Sequence, residues 1–184
     1  MASRHDALAA AAQFILELEQ FAAETSGLVA TVGRVEVSPN VVNVIPGEVR
    51  LSLDLRHADD DRRRGAYREV VRRADAIARR RGLEFKLLWV EEQGRVEFGA
   101  ACVRRLEQAV VEAGVRPLSL PSGAGHDAVV LARHFPTAML FLRCAGGVSH
   151  HPDESVSESD VCVALDVLLR FVSNLMAQSV GAGV

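Results

Sequence analysis

The hydrophobic pattern of the first ninety residues reads helix, strand, strand, helix, strand, and that order restricts the fold more than anything else in the chain. Phe14, Leu18 and Phe21 recur at helical spacing and predict a helix over about 7–23, opened by Ser3-Arg4-His5-Asp6 as a capping box with Asp in place of Glu. Gly27 ends the following turn, and alternation over 28–37 predicts a strand. Ser38-Pro39-Asn40 is a turn. A second strand is expected over 42–55, bent or bulged at Pro46-Gly47. Asp59-Asp60-Asp61 places negative charge at the start of a very basic helix that ends at Gly82, and 83–90 reads as a third strand.

A β-α-β-β-α-β ferredoxin-like unit would carry one more strand ahead of the first helix. In such a sheet the first strand is central, so without it the 83–90 strand is expected to lack a neighbour, while 28–37 still pairs with the strand ending at Arg56. The second half begins near Gly94. It reads as a helix over 99–113 ending at Gly114, a glycine-rich loop at 121–127, a short helix over 128–133, a strand over 138–143, a loop around His150 and a C-terminal helix from after Ser157 to near Gln178. This alternation predicts α/β packing, yet one strand makes no sheet. The expected class is therefore α/β (α+β) in two incomplete parts, 1–93 and 94–184.

At 184 residues the chain has mass for one domain or two small ones, and 49% hydrophobic with 24% charged residues is an ordinary globular balance. A net charge of −3 argues against a nucleic-acid footprint. Cys102, Cys144 and Cys162 are odd in number and far apart, which suggests neither a disulfide framework nor a CxxC knuckle and points to a reducing cytoplasm. No apolar run is long enough to span a bilayer, and no N-terminal signal is read.

Chemistry concentrates in two loops. Gly147-Val148-Ser149-His150-His151-Pro152-Asp153-Glu154 sets two imidazoles among small residues, and imidazole is the commonest metal ligand. A zinc site needs three or four ligands, and no HExxH or other dense ligand cluster accompanies these, so a solvated polar loop is the plainer alternative. Ser122-Gly123-Ala124-Gly125-His126-Asp127 lacks the spacing of a P-loop, a dinucleotide fingerprint or a nucleophile elbow. Its glycines suit a close backbone N–H approach to a substrate oxygen, or an ordinary helix entry. Arg56, at the end of a mostly apolar strand, offers a planar fork for a carboxylate, with Asn43 as an amide for the same ligand. A surface pair of Arg56 with Asp54 or Asp59 is the competing reading. Arg62-Arg63-Arg64 and the later arginines of that helix read as a solvated face.

Taken in order, 1–12, Val29-Ala-Thr-Val-Gly33, Pro39-Asn-Val-Val-Asn-Val-Ile-Pro-Gly47, Asp54-Leu-Arg56, Ser122-Gly-Ala-Gly-His-Asp-Ala128 and Gly147-Val-Ser-His-His-Pro-Asp-Glu154 resemble the allantoate amidohydrolase and N-carbamoyl-L-amino-acid hydrolase branch of the M20 metallopeptidases. Arg143-Cys144-Ala-Gly-Gly-Val-Ser-His looks closer to the allantoate enzymes. The resemblance implies that 1–93 is a ferredoxin-like lid that also dimerises, and that 94–184 is the last part of a zinc-peptidase-like catalytic domain. It implies a metal-ligand role for His150, with His151 at a variable position. It also implies a grip on the substrate carboxylate by Asn43 and Arg56, reached across the dimer and free of intrachain ion pairs, and a backbone substrate contact at Gly125.

The rest of the family's site, including the other metal ligands, the bridging Asp and the general-base Glu, matches nothing here. By resemblance the chain is expected to be a C-terminal portion with no catalytic residue of its own, beginning where the family has an internal Met. The complete enzyme would use two divalent ions, zinc or manganese, to cleave a ureido C–N bond of a small ureido acid. This chain alone is expected to hold none, unless a separate N-terminal polypeptide completes it. The alternative is a non-catalytic dimerisation or carboxylate-binding module derived from the lid.

Overall fold

The computed structural model describes residues 4–181 and divides into two compact units, with the boundary between Arg95 and Val96. In the first, helix α1 (Ala7–Glu24) is capped by Asp6, whose carboxylate accepts from the Leu8 and Ala9 amides at 3.1 Å each. The Ala9 amide, then Arg4, holds that carboxyl below the usual range. Asp6 itself is the cap; the Ser3 of the expected capping box lies outside the described residues.

Strands β1 (Val29–Ser38) and β2 (Glu48–Arg56) form an antiparallel ribbon running from Val29 opposite Arg56 to Ser38 opposite Glu48. The register shifts between Thr31 and Arg34, where β1 carries one residue more than β2. That bulge resets the two-residue alternation, so Ala30 on one side of it and Val35 and Val37 on the other all stand opposite apolar residues of β2, namely Leu55, Leu51 and Val49. The outward face carries Glu36 opposite Arg50 and the Arg34–Glu36 and Arg50–Glu48 ion pairs. Such one-sided burial is what an antiparallel sheet tolerates.

Helix α2 (Asp60–Arg80) starts at the cap Asp59, whose carboxylate accepts from the Asp61 and Arg62 amides. It packs Val70 and Ile77 against Ala10, Phe14 and Leu18 of α1, and Leu51, Leu53 and Leu55 of β2 close the core from below. Its end depends on Gly82, which sits at φ +66. A Cβ there would run into the His5 imidazole, itself bonded through Nδ1 to the Arg81 carbonyl at 3.0 Å. Gly82→Ala is expected to destabilise this unit by about 1–3 kcal/mol in urea denaturation, the cost of a side chain in the left-handed region plus the displaced ring.

Two expectations are corrected here. The 42–55 strand begins only at Glu48, because the Pro46 carbonyl is taken by the Ala7 amide at 3.0 Å and the Gly47 amide by Ser38 O at 3.1 Å, which makes 39–47 a loop. Among the described residues the 83–90 segment forms no strand. Leu83 packs onto the core, but Leu87, Leu88, Trp89 and Val90 are exposed, and no ladder partner is present. The two-stranded ribbon is the whole sheet among the described residues.

The second unit contains α3 (Ala100–Glu112), α4 (Asp127–Leu131), a 3₁₀ turn at Ala145–Gly147 and α5 (Glu158–Gly181). Ser157 caps α5 by accepting from the Asp160 amide at 3.1 Å. Leu106 and Ala109 of α3 pack with Val167 of α5, flanked by Ala138, Leu140 and Phe171. The 138–143 segment likewise forms no strand, for want of a second strand to bond. An open apolar trough of about 430 Å³, between Leu106, Phe135, Leu140, Leu168 and Phe171, lies beside it. No helix among the described residues is long and apolar enough to cross a membrane.

Candidate functional site

Asn43 lies exposed in the β1–β2 loop, where the Val44 amide bonds Val41 O at 3.2 Å and Val41, Val42 and Ile45 are also exposed. Arg56 is the last residue of β2, on the outward face. The length of β2 therefore separates them. At about 3.3 Å per residue its eight steps amount to roughly 25 Å, so a single small carboxylate does not bridge Asn43 and Arg56 at the two ends of one ribbon.

Arg56 also corrects the expectation of a clamp without an internal ion pair. Its Nε donates to Asp54 Oδ1 at 2.8 Å and its Nη2 pairs with Asp54 Oδ2, a two-point contact between residues two apart on one strand face. The hydrogen bond to Arg56 holds the Asp54 carboxyl below its ordinary range, and Asp54 raises Arg56 in turn. The next residue, His57, is a staple. Its Nδ1 accepts from the Asp59 amide at 2.9 Å, which leaves Nε2 to donate to Ser26 O at 3.1 Å. It thereby ties the turn before β1 to the cap of α2, next to the arginine. The Asp54 pair is the competing reading of the sequence, announced by the i, i+2 spacing on a shared face; the His57 staple has no such local signal.

The 121–127 loop leads into α4. Ser122 Oγ accepts from the Ala124 amide at 3.3 Å and donates to Ala124 O at 3.2 Å. Gly125 is exposed, and no atom lies within 4 Å of where its Cβ would be, so its backbone is open to approach. His126 precedes α4 without capping it by its side chain, and its ring meets Phe141 edge-on at 6.2 Å between centroids.

His150 stands in a loop closed at its base by the Ala145 amide to Ser155 O, 2.9 Å. It takes φ +57, and its amide donates to Glu154 Oε2 at 2.8 Å. Asn and His are among the residues that tolerate this region, and the Glu154 bond offsets its cost locally. His151 turns instead to its own neighbour: its Nδ1 accepts from the Asp153 amide at 3.2 Å. Both imidazoles are exposed.

Among the described residues no three His, Cys, Asp or Glu side chains gather in a way that could hold a metal ion. The donor set of the described residues does not fit a resident ion by itself. Elemental analysis of the dialysed chain is expected to find less than a stoichiometric amount of zinc or manganese; one ion held per chain would mean that His126, Asp127 or His151 rearranges into a site.

The fold of this mixed α/β chain is similar to that of solved amidases of the hydantoinase/carbamoylase family. The amidase of that family from Burkholderia vietnamiensis superposes with a TM-score of 0.86 at 32% identity, over 93% of this chain and 42% of that one. The N-carbamoyl-L-amino acid amidohydrolase of Geobacillus stearothermophilus is 37% identical over 95% of this chain and 43% of its own length. The probable allantoate deiminase of Oryza sativa subsp. japonica is 34% identical over 94% of this chain and 41% of its own. The chain thus spans about two-fifths of the length of these relatives. The model of peptidase family M20/M25/M40 matches residues 6–174, and the chain belongs to that family.

Proposed function

We propose that the chain is the lid and the last part of the catalytic domain of a metal-dependent amidohydrolase cleaving linear ureido C–N bonds. Allantoate stands first as substrate and N-carbamoyl-L-amino acids second. The reading rests on one observation: relatives bearing both names align with 94–95% of the chain at 34–37% identity.

On this reading residues of the first unit form a ferredoxin-like lid, and two lids associate in a homodimer. Arg56 and Asn43 serve the substrate carboxylate across the dimer, and the length of β2 between them is consistent with the two coming from different copies. The incoming carboxylate must displace or share the fork that Asp54 occupies. His57 keeps the arginine at the end of the strand. Gly125 offers a backbone N–H, and His150 would contribute one ligand to a two-metal centre, zinc or manganese, whose other ligands are not in this chain. Such ions supply an activated water and polarise the scissile group. Three unpaired cysteines are in keeping with a cytoplasmic setting.

The test is complementation. The chain is incubated with manganese or zinc and with allantoate or an N-carbamoyl-L-amino acid, alone and with a polypeptide carrying the remaining segment of a relative. Ammonia release is expected only in the mixture. A mixture of folded, associated polypeptides that leaves both substrates intact counts against the reading. In the active mixture, Arg56→Lys is expected to raise KM about tenfold to a hundredfold while changing kcat less, since loss of a two-point carboxylate contact costs about 1.5–3 kcal/mol. Unchanged KM removes Arg56 from the substrate site.

The second reading is a carboxylate-binding or dimerisation module without catalysis, in which the half-exposed Arg56 fork would be the contact for the ligand. It predicts dimers and carboxylate binding but no turnover in any mixture.

A further inference from the structure

The arginines at the start of α2 occupy an unfavourable place, because a helix N-terminus repels cations. Arg63 is nonetheless one of the least exposed charged groups in the unit, with 14% of its side chain accessible. Its Nη2 pairs with Asp60 Oδ1 at 3.1 Å and with Glu92 Oε1 at 2.8 Å, and Arg64 Nε reaches the same Glu92 oxygen at 3.0 Å. The Asp60 carboxylate also accepts the Arg95 amide on both oxygens, at 3.1 and 3.2 Å. Arg63 and Arg64 thus hold the Glu92 end of 92–95, and Asp60 the Arg95 end, against the start of α2. Upstream, 84–91 has no backbone hydrogen bond among those of the described residues, and downstream the first unit ends at Arg95.

We propose that Asp60, Arg63, Arg64 and Glu92 form a latch that sets the length of the joint between the two units. With the latch closed, the joint is 96–98, because α3 is entered through Gly99. With it open, the joint extends back to Glu84. At about 3.5 Å per extended residue the reach grows from about 10 Å to about 50 Å. The latch is electrostatic and lies at the surface, so it is sensitive to salt. It anchors the end of the unit and not its core, which lies among Phe14, Leu18, Val70 and Ile77.

Limited chymotrypsin digestion of the full chain reads the latch directly, because Leu87, Leu88 and Trp89 are exposed and cleavable once the segment can leave α2. Glu92→Ala is expected to raise the cleavage rate within 87–90 about fivefold, and Asp60→Asn combined with it further, with the thermal midpoint of the first unit unmoved. Glu91→Ala, which removes an adjacent carboxylate with no partner in the cluster, is expected to leave the rate at the wild-type value. Salt at 1 M should accelerate cleavage of the wild type but not of the double variant. Equal rates for the Glu91 and Glu92 variants would overturn the latch. So would cleavage that spreads into α1 and the hairpin, because the cluster would then hold the unit's fold and not its end.

Discussion

At micromolar concentration the purified chain is expected to sediment as dimers and larger species whose proportion rises with concentration. The cause lies in what the two units leave uncovered. The β1–β2 ribbon has no further strand on either edge among the described residues, and free edges invite pairing with other chains. In the same unit Leu88 and Trp89 are 73% and 74% exposed. In the second unit α5 buries Val167 on α3 but leaves Leu165, Leu169, Val172 and Met176 exposed, next to the open trough. Exposed apolar surface on this scale is uncommon on monomers. Sedimentation velocity over a concentration series decides the matter. A monomer that unfolds cooperatively, with the 84–90 amides protected beside β2, would show that the sheet closes on itself and that the incomplete-lid reading is wrong.

The helices were legible because their signals are local. Asp59 with a dipole-matched first turn, Gly82 and Gly114 at the helix ends, and Ser157 before α5 all act within a few residues of where they stand. The hairpin was legible too, in the alternation over 28–37 and the run ending at Arg56, but a strand exists only through a partner, and no local pattern says whether one is there. The apolar runs at 83–90 and 138–143 have the composition of strands and no neighbour to bond. The loop at 41–45 has the β-branched composition of a strand, yet the carbonyl that follows it is spent on the Ala7 amide, a contact no local pattern reveals. The site divides in the same way. Arg56 next to Asp54 is a two-residue relation on one face and could be read directly. The distance between Asn43 and Arg56 follows from where β2 begins, so misplacing that start concealed it. Arg63 looked like part of a solvated stripe because its partner Glu92 is 29 positions away.

Ile77→Ala is expected to unfold the first unit selectively. Ile77 is 2% exposed and is the largest fully buried side chain, in contact with a cluster drawn from α1, α2 and β2. Truncating an isoleucine in such a place costs about 2–5 kcal/mol. A unit of this size with a two-stranded sheet has little more stability than that to lose. The second unit has its own core in Leu106, Ala109 and Val167, none of which belongs to the first cluster. Hydrogen exchange followed by mass spectrometry should therefore show α1, the hairpin and α2 losing protection in Ile77→Ala while α3 and α5 keep theirs. Leu106→Ala should give the reverse pattern. If either substitution strips protection from both units at once, the two cores unfold as one, and the boundary at Arg95 marks a change in chain path without separating two cooperative bodies.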